Sequence, residues 1–332
     1  MFKRVWTYPI HHAFGAFAAD GDECFVAAHH TKLVSVSSQT GQLNWSATIE
    51  SPWGWLAYND RSVFYLNQHA HLIAVDRKTG EHRWSRMLEG TNGWLHALGT
   101  AVVVGGWRGY TDIQVIDADD GKTCWTRSAR NATLHSTRIH AESSTLVVAE
   151  LELKRIRFVR LADGVELAQS AVDWDVQFTE CPTGTTRRTE PLAIRSSEHQ
   201  FLVITGTNPD IEVVAVEANI WSQNISSAGA VVPFLTSRRE LLAWHLVERQ
   251  MLNFGPIQHN RRDMLPFCQV SADAFVVGTS FGELRHFTQS GTETARSKVG
   301  KRIATGISLA GTIAVCGRDS GELIGLETDL DV

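Results

Sequence analysis

The sequence lacks the cysteine pattern of a disulfide scaffold or of a structural zinc site. Its 332 residues include only five cysteines, an odd number, and no C-x-x-C pair. It also lacks a basic excess, because 31 Lys and Arg face 36 Asp and Glu for a net charge of −5. This balance disfavours general nucleic-acid binding. No run approaches the ~18 apolar residues of a membrane span, and no apolar secretory leader is visible. We therefore expect no membrane insertion and a cytoplasmic location.

Catalytic signatures are missing as well. The sequence has no G-x-S-x-G elbow, no Walker loop and no H-E-x-x-H motif. Among 14 histidines, His69 and His71 lie two residues apart, so on one strand they would share a face and could bind a metal. No regularly spaced carboxylates accompany them. We therefore interpret these histidines as loop residues and predict no metal, no cofactor and no catalytic residue.

What the sequence does contain is a repeated hairpin pattern. Three segments align without gaps: LVSVSSQTGQLNW (33–45), LIAVDRKTGEHRW (72–84) and IQVIDADDGKTCW (113–125). Each has an apolar run, a polar turn that ends in glycine, and a tryptophan four residues later. The glycine suits the positive φ of a tight turn, and the tryptophan provides a large surface for burial. We predict structural roles for Gly41, Gly80, Gly121, Trp45, Trp84 and Trp125.

The period extends over the whole chain. Later copies of the apolar run start near Phe158, Phe201, Leu241, Leu284 and Leu323, and the seven steps from Leu33 to Leu323 average about 41 residues. Four short strands in such a unit make one propeller blade. The prediction is an all-β fold, a single eight-bladed β-propeller. Its blades cover approximately residues 10–49, 50–89, 90–130, 131–172, 173–217, 218–258, 259–300, and 301–332 together with 1–9.

The repeat is less regular in the fifth unit and at the two ends of the chain. Val213 begins a run that resembles the repeat as well as Phe201 does; Phe201 keeps the spacing even, while seven blades with an insertion is the alternative. The segment KRVWTY (3–8) resembles the strand that contains Trp84, and the last unit ends soon after its own apolar run. We predict that the N-terminal strand completes the last blade and closes the ring, which would also cover two strand edges.

The segment Asp76 to Gly80, followed by Trp84, resembles the repeat of the pyrroloquinoline-quinone-type (PQQ-like) propeller family. The later units depart from the motif, since Ala168 and Ala295 stand where tryptophan is expected. Members of the family that use the quinone have adjacent cysteines and a calcium site, and this chain has no adjacent cysteine pair. The resemblance therefore implies the non-catalytic branch of the family and favours a protein that is not an enzyme.

Propeller topology also predicts where a partner binds. The loops between blades and those joining the second and third strands share one face, opposite the glycine turns. Tryptophan and arginine on that face are residue types enriched at binding hot spots. The predicted function is a scaffold or adaptor that binds a protein partner in a larger assembly. The alternative is a sugar-like ligand or quinoprotein-like chemistry in the central funnel. The candidates for the binding face are Trp53, His69, His71, Trp107, Arg108 and Arg318.

Overall fold

The protein is described here by a computed structural model. The described residues are 2–10, 14–28, 31–89, 94–105, 111–128, 135–141, 143–150, 153–172, 192–205, 210–217, 219–221, 231–260, 265–271, 274–300 and 302–328. Within these ranges the chain forms thirty β-strands, β1 to β30, and no helix. The described segments accordingly contain no helix that could cross a membrane. The all-β character expected from the repeat is confirmed.

The strands form antiparallel sheets that follow one another along the chain, and eight are present among the described residues. We number them sheets 1 to 8 in chain order. The first four sheets each have four strands in sequence order. Sheet 1 contains β2 (Phe14–Asp20), β3 (Glu23–Ala28), β4 (Lys32–Ser37) and β5 (Leu43–Thr48). Sheet 2 contains β6 (Pro52–Tyr58), β7 (Ser62–Asn67), β8 (His71–Asp76) and β9 (His82–Met87). Sheet 3 contains β10 (Trp94–Leu98), β11 (Ala101–Gly105), β12 (Ile113–Asp117) and β13 (Thr123–Arg127). Sheet 4 contains β14 (His135–His140), β15 (Thr145–Glu150), β16 (Arg155–Arg160) and β17 (Glu166–Ala171).

In the second half, two sheets have three described strands each. Sheet 5 contains β18 (Leu192–Arg195), β19 (Gln200–Thr205) and β20 (Asp210–Ala215). Sheet 6 contains β21 (Val231–Leu235), β22 (Glu240–His245) and β23 (Gln250–Pro256). Sheet 7 contains β24 (Phe267–Ser271), β25 (Ala274–Gly278), β26 (Glu283–Thr288) and β27 (Glu293–Lys298). Sheet 8 contains β28 (Ile303–Ala310), β29 (Ile313–Arg318) and β30 (Glu322–Thr328), with β1 (Phe2–Pro9) as its outer strand.

In seven of the eight sheets a recurring backbone hydrogen bond among the described residues identifies the third and fourth strands. In sheet 1 the residue after the fourth strand, Ile49, donates its N–H to the carbonyl oxygen of Thr31, which precedes the third strand. In sheet 5 the same bond runs from Val216 to His199. β19, which contains Phe201, is therefore the third strand, and β20, which contains Val213, is the outer one. By the same criterion the repeat in sheet 4 starts at Ile156, two residues before the expected Phe158.

Apolar side chains fill the space between consecutive sheets. Phe25 of sheet 1 shares a buried cluster with Tyr65 of sheet 2, and Phe201 of sheet 5 shares one with Phe234 of sheet 6. Comparable clusters join every other consecutive pair. The last sheet also meets the first, because Leu323 of sheet 8 packs with residues of sheet 1. The second and third strands supply this core with nearly continuous buried runs, since each sheet has a neighbour on both faces.

The N-terminal strand pairs with the last strand of the chain. β1 pairs antiparallel with β30, from Phe2 opposite Thr328 to Pro9 opposite Glu322. Ile10 then donates its N–H to the carbonyl oxygen of Gly321, 2.7 Å away, which is the bond that follows the outer strand in other sheets. Residues 2–9 thus act as the fourth strand of sheet 8.

Candidate interaction face

The recurring bond fixes one set of turns to the sheet framework. Its donor is the aliphatic residue that leaves the fourth strand, and its acceptor is the last residue of the turn between the second and third strands. Most donor side chains are buried, so the bond is shielded from water. We call the face that carries these turns the clamped face. The donor–acceptor pairs, at 2.7 to 2.9 Å, are Ile10–Gly321, Ile49–Thr31, Leu88–Ala70, Val172–Lys154, Val216–His199, Ile257–Arg239 and Val299–Gly282.

Five of the seven clamp acceptors have a left-handed backbone, and Thr31 and His199 do not. Ala70, Lys154 and Arg239 have φ of 60°, 47° and 62°, although non-glycine residues rarely adopt the left-handed region. At the same position Gly282 and Gly321 have φ of 74°, which glycine adopts without a steric penalty. A non-glycine residue keeps this conformation only where the surrounding structure holds it, and the clamp bond is one such contact.

The opposite face carries the turns with Gly41, Gly80 and Gly121, and we call it the glycine face. On this face each repeat tryptophan docks on the glycine turn of the following sheet. The Trp84 indole N–H donates to the carbonyl oxygen of Ala118 at 3.0 Å, and a Cβ on Gly121 would come within 2.9 Å of the Trp84 ring. Trp45 and Trp125 bond in the same way to Arg77 and Leu161. Trp45 is buried, whereas Trp84 and Trp125 keep part of the ring exposed.

The docked series has a further member in the N-terminal strand, which the sequence likened to the strand that contains Trp84. Trp6 of β1 donates its indole N–H to the carbonyl oxygen of Ser38, 3.1 Å away, and its ring lies against Gly41. Four consecutive sheet junctions, from sheet 8 to sheet 1 through sheet 3 to sheet 4, therefore use one contact. A partially enclosed cation reinforces the junction of sheets 1 and 2: burial alone would lower the pKa of Arg77, but hydrogen bonds and charges from Glu23 and Asp20 raise it.

In sheets 4 and 5 a residue other than tryptophan occupies the position of the docked ring. Ala168 pairs with Phe158, so a large residue on the third strand compensates for a small one on the fourth. Glu212 of β20 occupies the position in sheet 5, and it lies 3.9 Å from Arg249. Arg249 in turn takes the place of the turn glycine, with φ of 51°. This exposed ion pair replaces an aromatic contact, so the junction of sheets 5 and 6 lacks the docked ring.

The structure separates the two histidines that the sequence placed together. His69 lies in the turn after β7, as the loop interpretation predicted, whereas His71 is the first residue of β8, so the two do not share a strand face. The reason is Asn67, a buried residue whose Oδ1 accepts the backbone N–H groups of both histidines at 3.0 and 2.9 Å. Both residues lie on the clamped face. No group of three or more potential metal ligands occurs in the described part of the chain.

Arg318 is not the exposed donor that its loop position suggested. Its side chain is only 12% exposed, and its guanidinium Nη1 lies 3.1 Å from Glu322 Oε2. A Cβ on Gly300 would approach Nη2 to 2.6 Å, so the guanidinium fills the space above that glycine. Arg318 therefore packs within sheet 8 and its entry segment. The sequence could not show this, because both contacts depend on how the turn after β29 folds back.

The side chains of three other candidates for the binding face lie outside the described residues. Trp53 lies in strand β6 rather than in the loop expected from its neighbour Pro52, and its side chain lies outside the described residues. Trp107 and Arg108 lie outside the described residues altogether.

Sequence reasoning missed three exposed residues of the clamped face. Phe281, in the turn between β25 and β26, is 52% exposed and is the one aromatic side chain among the described residues that is predominantly in water. Arg238 and Arg239, in the turn between β21 and β22, are also exposed. A search for aromatic residues inside short polar turns could have found Phe281, because TSFG directly follows an apolar strand.

Comparison with known proteins bears directly on this architecture. A family model described as outer membrane protein assembly factor BamB matches residues 4–86 and 35–238. The chain belongs to the PQQ-like repeat β-propeller family. No curated protein matches its sequence.

Solved structures share the fold of this PQQ-like propeller at low sequence identity. BamB from Moraxella catarrhalis is 15% identical with a TM-score of 0.70, over 100% of this chain and 99% of that one. The computationally designed Ika8 protein is 13% identical with a TM-score of 0.70, over 98% and 100% of the two chains. A quinohemoprotein alcohol dehydrogenase from Pseudomonas putida is 12% identical with a TM-score of 0.69, over 98% and 76%. An assembly factor and a dehydrogenase therefore share one fold, which by itself does not assign an activity.

Proposed function

We propose that this protein is a non-catalytic scaffold, an eight-bladed propeller closed by its N-terminal strand, which binds a protein partner through the clamped face. The observation that carries the proposal is the backbone clamp, which recurs in seven of the sheets and fixes the turns of that face. A rigid surface binds a partner at a lower entropic cost than a mobile one. The pairing of β1 with β30 and the contact between sheets 8 and 1 support ring closure.

The family match supports a role in an assembly, since the matched model carries the description of an assembly factor. His69 and His71 on the clamped face, together with Trp53, Trp107 and Arg108, stay candidates for partner contact. Arg318 is mostly buried, so we assign it a structural role in sheet 8 rather than a contact with the partner.

The proposal is tested by capture of the partner from the native organism, with the purified chain as bait and mass spectrometry as the readout. The test variant is Trp107→Ala with Arg108→Ala. The matched control is Lys78→Ala with Lys122→Ala, two exposed lysines of the glycine face. We expect the control to keep the partner and the test variant to lose it. Loss with the control only, or no reproducible partner for the wild type, would refute the scaffold proposal.

A second candidate function rests on the likeness to quinohemoprotein alcohol dehydrogenases. The described residues do not fit a metal-dependent site of that kind, because no three metal-ligand side chains converge among them. Equilibrium dialysis with pyrroloquinoline quinone and Ca²⁺ tests this alternative. Saturable binding of the quinone would favour the enzyme over the scaffold.

The cytoplasmic location is also a proposal. Its support is the state of the cysteines, since Cys24, Cys124, Cys268 and Cys316 are free thiols and none forms a disulfide in the described chain. Free thiols persist in reducing compartments. The description of the matched family names the outer membrane instead, so cell fractionation with antibody detection distinguishes the two locations.

A further inference from the structure

The clamped face of sheets 6 and 7 carries a cation pair whose charge the described residues do not neutralise. Arg238 and Arg239 are both exposed, and neither forms an ion pair with a carboxylate among the described residues. The net charge of the protein is −5, so the sign of this exposed pair is opposite to that of the chain as a whole. Such a pair attracts negatively charged groups and raises the rate of their encounter.

One of the two arginines is held in place from two sides. The carbonyl oxygen of Arg239 accepts the clamp bond from Ile257 at 2.9 Å, and its guanidinium carbon lies 5.8 Å from the ring centroid of Trp221. Its left-handed φ of 62° is the strain that this clamp supports. This cation–π contact restrains the guanidinium, whose planar donors can form bidentate hydrogen bonds with a carboxylate.

Hydrogen bonds from the backbone also hold the neighbouring turn, which carries Phe281. The hydroxyl of Thr279 accepts the N–H groups of Phe281 and Glu283 at 3.3 and 3.1 Å, and Gly282 closes the turn. None of these bonds involves the phenyl ring, which is 52% exposed. The ring is therefore open to contact by a bound molecule, and aromatic residues are enriched at protein interfaces.

A short segment joins the two turns into one unit. Ile257 bonds to Arg239 at one end, and at the other end Asn260 donates its N–H to Ser280 Oγ at 2.9 Å. Between them the buried His259 accepts the Ser280 N–H through Nδ1 at 3.2 Å. Four residues span at most about 13 Å. The arginines and Phe281 therefore lie within reach of a single short peptide segment.

We infer that Arg238, Arg239 and Phe281 form a docking site for an extended protein segment in which a carboxylate lies within a few residues of a large apolar side chain. The carboxylate binds the arginines, and the apolar side chain packs on the Phe281 ring. Arginine and aromatic residues are the types that dominate binding energy at protein interfaces. This inference rests on the proposed scaffold function and specifies the partner chemistry on one sector of the clamped face.

The probe is a phage-displayed library of random 12-residue peptides, selected on the full-length protein. We expect enriched peptides to combine Asp or Glu with Phe, Leu or Trp within four positions. Synthetic copies of these peptides should bind at least tenfold more weakly to Phe281→Ala and to Arg238→Glu with Arg239→Glu, and more weakly at 0.5 M salt. Phe281→Leu and Arg238→Lys should retain most of the affinity.

The control variants lie on the glycine face, where Val247→Ala removes an exposed aliphatic side chain and Lys78→Glu reverses an exposed charge. Neither control should change the affinity. The inference is overturned if no peptide is enriched, if enriched peptides lack the acidic and apolar pair, or if the patch variants bind as well as the wild type. A partner captured from cells that survives both patch variants would overturn this site and leave the scaffold function intact.

Discussion

The tryptophan docking contact can be measured with a double-mutant cycle between Trp84 and Gly121. Trp84→Ala removes a half-buried ring that also packs on Phe64 at 5.9 Å and donates one hydrogen bond. Large aromatic deletions in cores cost ~3–5 kcal/mol, and partial exposure puts this one near the lower limit. Gly121→Ala has two costs, because φ is +75° and the new Cβ would come within 2.9 Å of the ring.

The two costs of Gly121→Ala can be separated. A left-handed backbone costs an alanine ~1–2 kcal/mol, and overpacking against a fixed ring adds ~1–3 kcal/mol. Gly21→Ala is the matched control, since φ is +53° and no atom lies within 4 Å of its added Cβ, so it carries the first cost alone. In a Trp84→Ala background the overpacking cost disappears. The two substitutions should therefore be non-additive, with the double variant more stable by ~1–3 kcal/mol than the sum predicts.

The assay is guanidinium unfolding followed by far-ultraviolet circular dichroism, performed on the wild type, the single variants, the double variant and the Gly21→Ala control. The free energy of unfolding is compared at constant slope. A coupling energy within about 0.5 kcal/mol of zero would mean that the ring does not rest on the glycine turn. Equal costs for Gly121→Ala and Gly21→Ala would refute the same contact independently.

Four further predictions follow from individual contacts. Trp6→Ala should lower the free energy of unfolding by ~2–4 kcal/mol, because it removes the docked ring of β1, and a wild-type melting curve would contradict this. Arg249→Gly should stabilise the protein by ~0.5–1 kcal/mol, since φ is 51° and the ion pair it loses is exposed; calorimetry showing destabilisation would argue against strain at this turn. Cys124 is exposed and should be alkylated in the native protein, whereas burial raises the pKa of Cys24 to about 12, and mass spectrometry should find that thiol modified only after unfolding. The hydrogen bond from Arg296, with that from Arg285, holds the pKa of Glu293 below its ordinary 4.5, so its stabilising contribution is present above that pH and is lost as the pH falls through the lowered pKa. Glu293→Gln should accordingly have a lower free energy of unfolding than the wild type at pH 7, and the difference should shrink toward pH 3. A difference that does not depend on pH would show that the ionised carboxylate of Glu293 does not stabilise the fold.

Much of the strand pattern could be derived from local sequence. The glycine and tryptophan of the first three hairpins lie four residues apart, and the even period selected Phe201 over Val213 for the third strand of sheet 5. Such features depend on turn geometry and on continuous apolar runs within about ten residues, and a linear pattern records both. The resemblance of residues 3–8 to an outer strand likewise identified β1, which pairs with β30.

What the sequence could not determine is which distant groups meet. Each docked tryptophan bonds to a carbonyl 32 to 36 residues further along the chain, in the next sheet, and no local preference specifies that acceptor. The enclosure of Arg318 and the exposure of Phe281 have the same origin, since Arg318 ends β29 beside a polar turn and Phe281 lies in the corresponding turn of sheet 7. Only the packing of each turn against the segment that enters its own sheet made one a framework residue and the other an exposed ring. The sequence by itself determined the repeated hairpin and its period, and the tertiary structure decided which side chains face a partner, because burial depends on contacts between sheets.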